Sequence, residues 1–171
     1  MEIKPYEKHT KFGNFLFTLS AKWTVFLSKH RWLYYILALT WGLPLTLVGF
    51  VVTFALWIFK LFRWKKVKFE SYLWVYSIKI GSFWGGFETG LMFVRDWLSG
   101  EYVSYHEFGH SFQNCLFGPF QLIWSLWSAL RYWYRKLKYE NRGKIPPTNY
   151  DSYWFEDSAT QCGKYLKKHL K

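Results

Sequence analysis

The sequence predicts a mainly α membrane protein. It should hold two apolar membrane helices, short strands that can pair as a β-hairpin, an H-E-x-x-H helix, and a C-terminal helix bearing a further carboxylate. Three observations lead there. One residue in four is aromatic, with 12 Trp, 13 Tyr and 17 Phe, a load that suits the interfacial belts of a bilayer. Long uncharged runs alternate with strongly basic ones, so a near-zero mean hydropathy hides segregation. Finally, Tyr105-His106-Glu107-Phe108-Gly109-His110 sets two histidines four residues apart, the spacing of one helix face.

At 171 residues the chain is long enough for one domain with its own core. Three stretches divide it: 1–31, 32–62 and 63–171. In the first, Lys4, Lys8, Lys11, Lys22, Lys29 and Arg31 alternate with Phe12, Phe15, Leu16, Leu19, Trp23, Phe26 and Leu27 at helical spacing. This predicts a basic amphipathic helix lying among lipid headgroups, or an ordinary packed surface helix. The stretch is too charged for a signal peptide.

Leu33 to Phe59 carries no charge over 27 residues. As one helix it would exceed the ~30 Å hydrocarbon core, with a kink at Gly42 and Pro44. A re-entrant hairpin folded at Gly42–Pro44 is the alternative. Lys60, Arg63, Lys65, Lys66 and Lys68 follow, with Trp57 and Trp64 as interfacial anchors. From Glu70 to Trp97, short apolar groups bounded by Gly81, Gly85, Gly86 and Gly90 predict strands joined by a tight turn, against a Gly-rich apolar helix. Glu88 stands in apolar surroundings there, as a functional carboxylate or a hydrogen-bonded one.

Ser104 and Glu107 read as a capping box for a helix starting at Tyr105. Gly118-Pro119 should break that helix, and 119–138 should form a second membrane-associated helix ending in Arg131, Arg135, Lys136 and Lys138. After a Lys144-Ile145-Pro146-Pro147 linker, Asp151 or Ser152 should cap a final helix reaching about Lys168. Cys115 and Cys162 make no disulfide framework and read as apolar fillers.

The net charge of +12 fits an anionic membrane surface or nucleic acid. The aromatic and uncharged runs favour the bilayer as partner. Nothing resembles an RNA-binding signature or a Cys/His finger, so no nucleic-acid partner is expected. Lys and Arg number six before Leu33, seven between the apolar runs and ten from Arg131 on. That distribution favours both termini in the cytoplasm, though the positive-inside rule chooses weakly here.

In H-E-x-x-H, His106 and His110 can aim imidazole nitrogens at one metal ion, and Glu107 can reach a water without binding the metal. Such a pattern suits a Zn2+ site with Glu107 as general base. Gln113 and Asn114 lie one turn beyond His110 on the same side, placed to support the ligands from behind.

Together, Trp84-Gly85-Gly86-Phe87, His106-Glu107-Phe108-Gly109-His110, Gly118-Pro119 and Glu156-Asp157-Ser158-Ala159 resemble the zincin metallopeptidases. Within these, the chain is most similar to small membrane-embedded bacterial enzymes. The resemblance covers about residues 80–165 and implies an integral bacterial inner-membrane zinc peptidase with its site near the interface. It implies a third ligand from a later E-x-x-A helix, which points to Glu156. Glu156 shares a helix face with Ser152, Ala159 and Gly163, whose small side chains allow close approach to the histidine helix. Asp157, on another face and with a shorter reach, suits a hydrogen bond that orients a ligand histidine from behind.

The expected activity is hydrolysis of a peptide bond in a peptide or protein substrate at the membrane surface. Two other functions share these features. One is a non-catalytic membrane assembly protein with a structural zinc site; the other is a zinc-dependent lipid amidase or esterase.

Overall fold

The computed structural model describes residues 3–6, 8–61, 67–81 and 85–170. Arg63, Trp64, Lys65, Lys66, Trp84 and Lys171 lie outside the described residues. Three helices come first: α1 (Lys11–Leu27), α2 (Arg31–Leu39) and α3 (Leu43–Leu61). Four short strands follow: β1 (Lys68–Tyr72), β2 (Val75–Ile80), β3 (Gly86–Glu88) and β4 (Met92–Asp96). Last come α4 (Glu101–Phe117), α5 (Gln121–Lys138) and α6 (Trp154–His169), with single 3-10 turns at Gly118–Phe120, Glu140–Arg142 and Tyr150–Ser152. The protein is mainly helical with one small sheet.

Thr10 caps α1 by accepting the Gly13 N–H at 3.1 Å, one of the donors a helix start leaves orphaned. Leu16, Phe17, Ala21, Thr24 and Leu27 are buried on the inner face of α1, which packs on α6 and α4. Phe12, Phe15, Leu19 and Phe26 remain on the outside. The helix therefore serves the core on one face and shows an apolar surface on the other.

The 27-residue uncharged run is broken, not kinked. Pro44 has no N–H to carry a helix through Thr40. The chain closes the gap differently, with Gly42 N–H donating to Leu37 O at 2.7 Å and Thr46 Oγ1 to Ala38 O at 2.8 Å. Among the described residues, α3 alone is long and apolar enough to cross a membrane, at 19 residues and a mean hydropathy of 1.9. The expected second membrane helix forms as α5, but its charged and aromatic turns make it amphipathic, so it does not meet that measure.

The glycine-punctuated stretch forms strands, in the order β1-β2-β4-β3. Two antiparallel hairpins, β1–β2 and β3–β4, are joined by a parallel β2–β4 pairing. The single expected hairpin is thus one half of a sheet. β3 is an edge strand.

One core gathers all three stretches of the chain: Leu27 and Tyr34, then Val75 and Phe93, then Phe108, Phe112 and Leu166. Its tightest point is the crossing of α4 and α6. A Cβ at Gly109 would fall on the Ala159 carbonyl, and one at Gly163 on the Tyr105 carbonyl. Backbone lies on backbone here because only glycine leaves the space.

Two expected caps are absent. α4 begins at Glu101, three residues before Ser104, so Ser104 lies buried inside the helix and the capping box does not form. α6 begins after Tyr153 with no side-chain cap, while Asp151 takes a bond from Tyr102 Oη at 3.3 Å.

Candidate metal centre

The two histidines leave one face of α4 and meet a carboxylate from α6. His106 Nε2 lies 3.2 Å from His110 Nε2, and Glu156 Oε2 lies 3.1 Å from the first and 3.4 Å from the second. These three atoms form a nearly equilateral triangle. Donors at the corners of a tetrahedron, each ~2.0–2.1 Å from a central ion, stand ~3.3 Å apart. All three side chains are buried, and His106, His110 and Glu156 can hold a metal ion. Glu156 Oε2 has no hydrogen-bond partner. A buried carboxylate oxygen set between two imidazole nitrogens, with no other partner, fits a cation, because desolvation without compensation is costly.

The partner behind His110 fixes which of its nitrogens faces the triangle. Gln113 Nε2 donates to Phe155 O at 3.0 Å and to Ser158 Oγ at 2.6 Å. This orients the amide so that Oε1 faces His110 Nδ1 at 2.6 Å. Nδ1 must then carry a proton, so Nε2 is the nitrogen that can turn a lone pair toward the triangle once its own proton is displaced. Thr160 Oγ1 sits 2.8 Å from His106 Nδ1 and holds that ring from behind. Glu156 is oriented in turn by Ser128, whose hydroxyl donates to Oε1, and Tyr150 Oη stands 2.9 Å from the same hydroxyl.

Of the expected supporting residues, Gln113 is where the helix face placed it. Asp157 is not. Its carboxylate takes the Tyr6 N–H at 2.9 Å and lies 2.9 Å from His9 Nε2, so it ties the N-terminal segment to α6, and Thr160 holds His106 instead. Asn114 lies past the ligands and donates to Gly42 O at 3.2 Å, bracing the α2–α3 break. Ser128 and Tyr150 carried no sequence signal, whereas Thr160, three residues beyond Asp157 and four beyond Glu156, lay within the reach of helical spacing.

Glu107 lines a cavity of about 640 Å³ together with His106, His110, Glu156 and the strand residues Gly86 and Glu88. Gly86 lets β3 lie directly over it, since a Cβ there would meet Glu107 Oε1 and the Val103 side chain. Burial raises the Glu107 carboxyl above its ordinary pKa, although His106 and His110 pull it down. Burial would lower His110, but Glu156 outweighs that and lifts it to about 9 in the metal-free site. Glu156 is depressed well below the carboxylate range by both histidines, which overcome its own burial. Glu88 is pushed by burial up to about 8; its Oε1 accepts the Gly90 N–H and its Oε2 has no hydrogen-bond partner.

No protein-family model, curated protein or solved structure matches this chain.

Proposed function

We propose that this chain is an integral-membrane zinc metallopeptidase that cleaves a peptide segment at the bilayer surface. The observation that carries the reading is the His106–His110–Glu156 triangle with Glu107 beside it in an accessible cavity. Two nitrogens and one oxygen, all hard or borderline donors, suit zinc and leave a fourth tetrahedral position for chemistry. Zinc held there supplies Lewis acidity, polarising a carbonyl and acidifying water towards a pKa of ~7.

The chain's own residues do the rest. Glu107 accepts the proton of the attacking water and passes it to the departing amine, a task its raised proton affinity favours. Gln113 keeps the His110 imidazole in the ligating tautomer, and Thr160 holds the His106 ring in place. β3 supports a peptide substrate, because its outer edge borders the cavity and an extended segment can pair along it.

Membrane residence is supported by α3, whose Leu47, Val51, Phe54 and Trp57 are exposed although the helix is apolar throughout. A soluble core helix of that composition would bury them. Elements before and after α3 pack on each other, so α3 does not separate two bodies across a bilayer; the catalytic body lies alongside it. The side of α5 that lines the cavity carries Ala129, Tyr132 and Trp133, and this apolar wall favours a second substrate class, a lipid amide or ester.

The test is metal analysis of the purified chain with Glu107→Gln alongside, both assayed on membrane peptides and on lipid amides. Zinc retained with peptide turnover lost in Glu107→Gln supports the proposal. Unchanged peptide turnover in that variant defeats it, and turnover of lipid amides alone transfers the site to the second class.

A further inference from the structure

α5 turns little of itself inward. Of its 18 residues only Gln121 and Ser128 are buried. Ile123, Leu126, Trp127, Leu130, Tyr134 and Leu137 form a continuous exposed stripe at helical spacing. Cations follow it: Arg131, Arg135, Lys136 and Lys138 crowd the second half of the helix, in a chain of net charge +12. An apolar stripe with Trp and Tyr among basic residues is complementary to an anionic lipid surface.

The opposite face reaches the metal centre. Ser128 donates to Glu156 Oε1, which leaves Oε2 for the two histidines. α5 also grips the stretch leading to Glu156. The Arg131 guanidinium lies 4.6 Å from the centre of the Tyr153 ring, and Arg135 donates to Thr148 O. Whatever fixes the position of α5 therefore fixes the ligand carboxylate. Two buried residues and the Arg131 and Arg135 contacts tie α5 to the protein, and its exposed apolar stripe leaves a lipid surface the rest of the helix to hold.

We propose that contact between the α5 stripe and an anionic bilayer surface holds Ser128 against Glu156, so that the metal site is fully assembled only on the membrane. This rests on the reading of the chain as a metal-binding membrane protein. Ser128 is a positioning residue: it acts on metal through Glu156.

The experiment titrates Co2+, whose visible absorption reports tetrahedral coordination, into the full chain in nanodiscs. Discs of phosphatidylcholine alone are compared with discs containing an equal part of phosphatidylglycerol. The wild-type chain should bind Co2+ more tightly in the anionic discs. In those discs Leu126→Glu, which lies outside the cavity lining, should lose ~10–100-fold in affinity, the range typical when a group that orients a metal ligand is lost. Ser128→Ala should lose as much, Ser128→Thr should restore the affinity, and the double variant should be no weaker than Ser128→Ala. A spin label at Ile123→Cys should report oxygen-rich lipid in the otherwise wild-type chain and water in Leu126→Glu.

A Leu126→Glu chain that leaves the lipid yet keeps wild-type Co2+ affinity overturns the proposal. So does equal wild-type affinity in both kinds of disc, a measurement that needs no variant to fold. A label screened from both oxygen and water, with a doubled particle size, assigns the stripe to a second copy of the chain and overturns it as well. Absence of Co2+ binding by the wild-type chain in every disc removes the metal reading itself.

Discussion

Gln113 Oε1 lies 2.6 Å from His110 Nδ1 while its amide nitrogen is bonded to Phe155 O and Ser158 Oγ on the facing helix. One side chain thus sets a ligand's tautomer and joins the two helices that share the site. Replacing it should separate metal binding from folding. Gln113→Leu keeps the volume and removes the acceptor, so metal affinity should fall ~10–100-fold. Gln113→Glu keeps an acceptor and should retain more of it. Equal affinities in wild type and Gln113→Leu, measured by competition with a chelator, would sink this role.

The ligands and the base should part company in the same assay. His106→Ala, His110→Ala and Glu156→Ala each remove a corner of the triangle, and each should abolish the complement of about one metal per chain. Glu107→Gln should leave that complement intact, because Glu107 stands beside the triangle and not in it. Atomic absorption on the four proteins decides the matter.

Asp157 should behave as a structural residue. In Asp157→Ala the Tyr6 N–H and the His9 ring lose their acceptor. A stranded buried donor costs ~1–3 kcal/mol. Denaturant unfolding should show that loss, with metal affinity less affected than in Gln113→Leu. The reverse order of damage would return Asp157 to the ligand shell.

The metal-free site has a definite pH signature. His110 has a folded-state pKa of about 9 against an ordinary 6.5, raised by Glu156 against the pull of burial. The stabilisation is fully present below about 6.5 and is lost as pH rises through about 9. The Tm of chelator-treated protein should therefore fall across that window. Metal affinity should move oppositely, rising over the same interval, because binding must displace the proton. A metal-free Tm that climbs across the window would contradict the His110–Glu156 pairing.

The site's two ends were legible to different degrees. Helical spacing alone puts His106, His110 and Gln113 on one side of α4, since residues three and four apart share a face. Glu156 was reachable through its small-residue face, and Ala159 and Gly163 do lie at the crossing. Asp157 went wrong because its partners, Tyr6 and His9, lie about 150 residues upstream, and spacing within a helix carries no such contact. Ser128 and Tyr150 were invisible for the same reason. The capping box at Ser104 was a matching pattern at a helix that starts a turn earlier. In the sheet, the glycines marked the strands, but the parallel β2–β4 pairing depends on β3 becoming an edge.

The glycine crossing has a consequence for which ions the site admits. With α4 and α6 in contact backbone to backbone at Gly109 and Gly163, the donors cannot drift apart without opening that contact. Calcium seeks six or more oxygen ligands, whereas the triangle offers one carboxylate oxygen and two nitrogens. Admitting further oxygens between the helices would sacrifice close packing along both, where small gaps already forfeit much of the attraction. The two glycines thereby hold the site to an ion that is content with few donors, without supplying a ligand themselves.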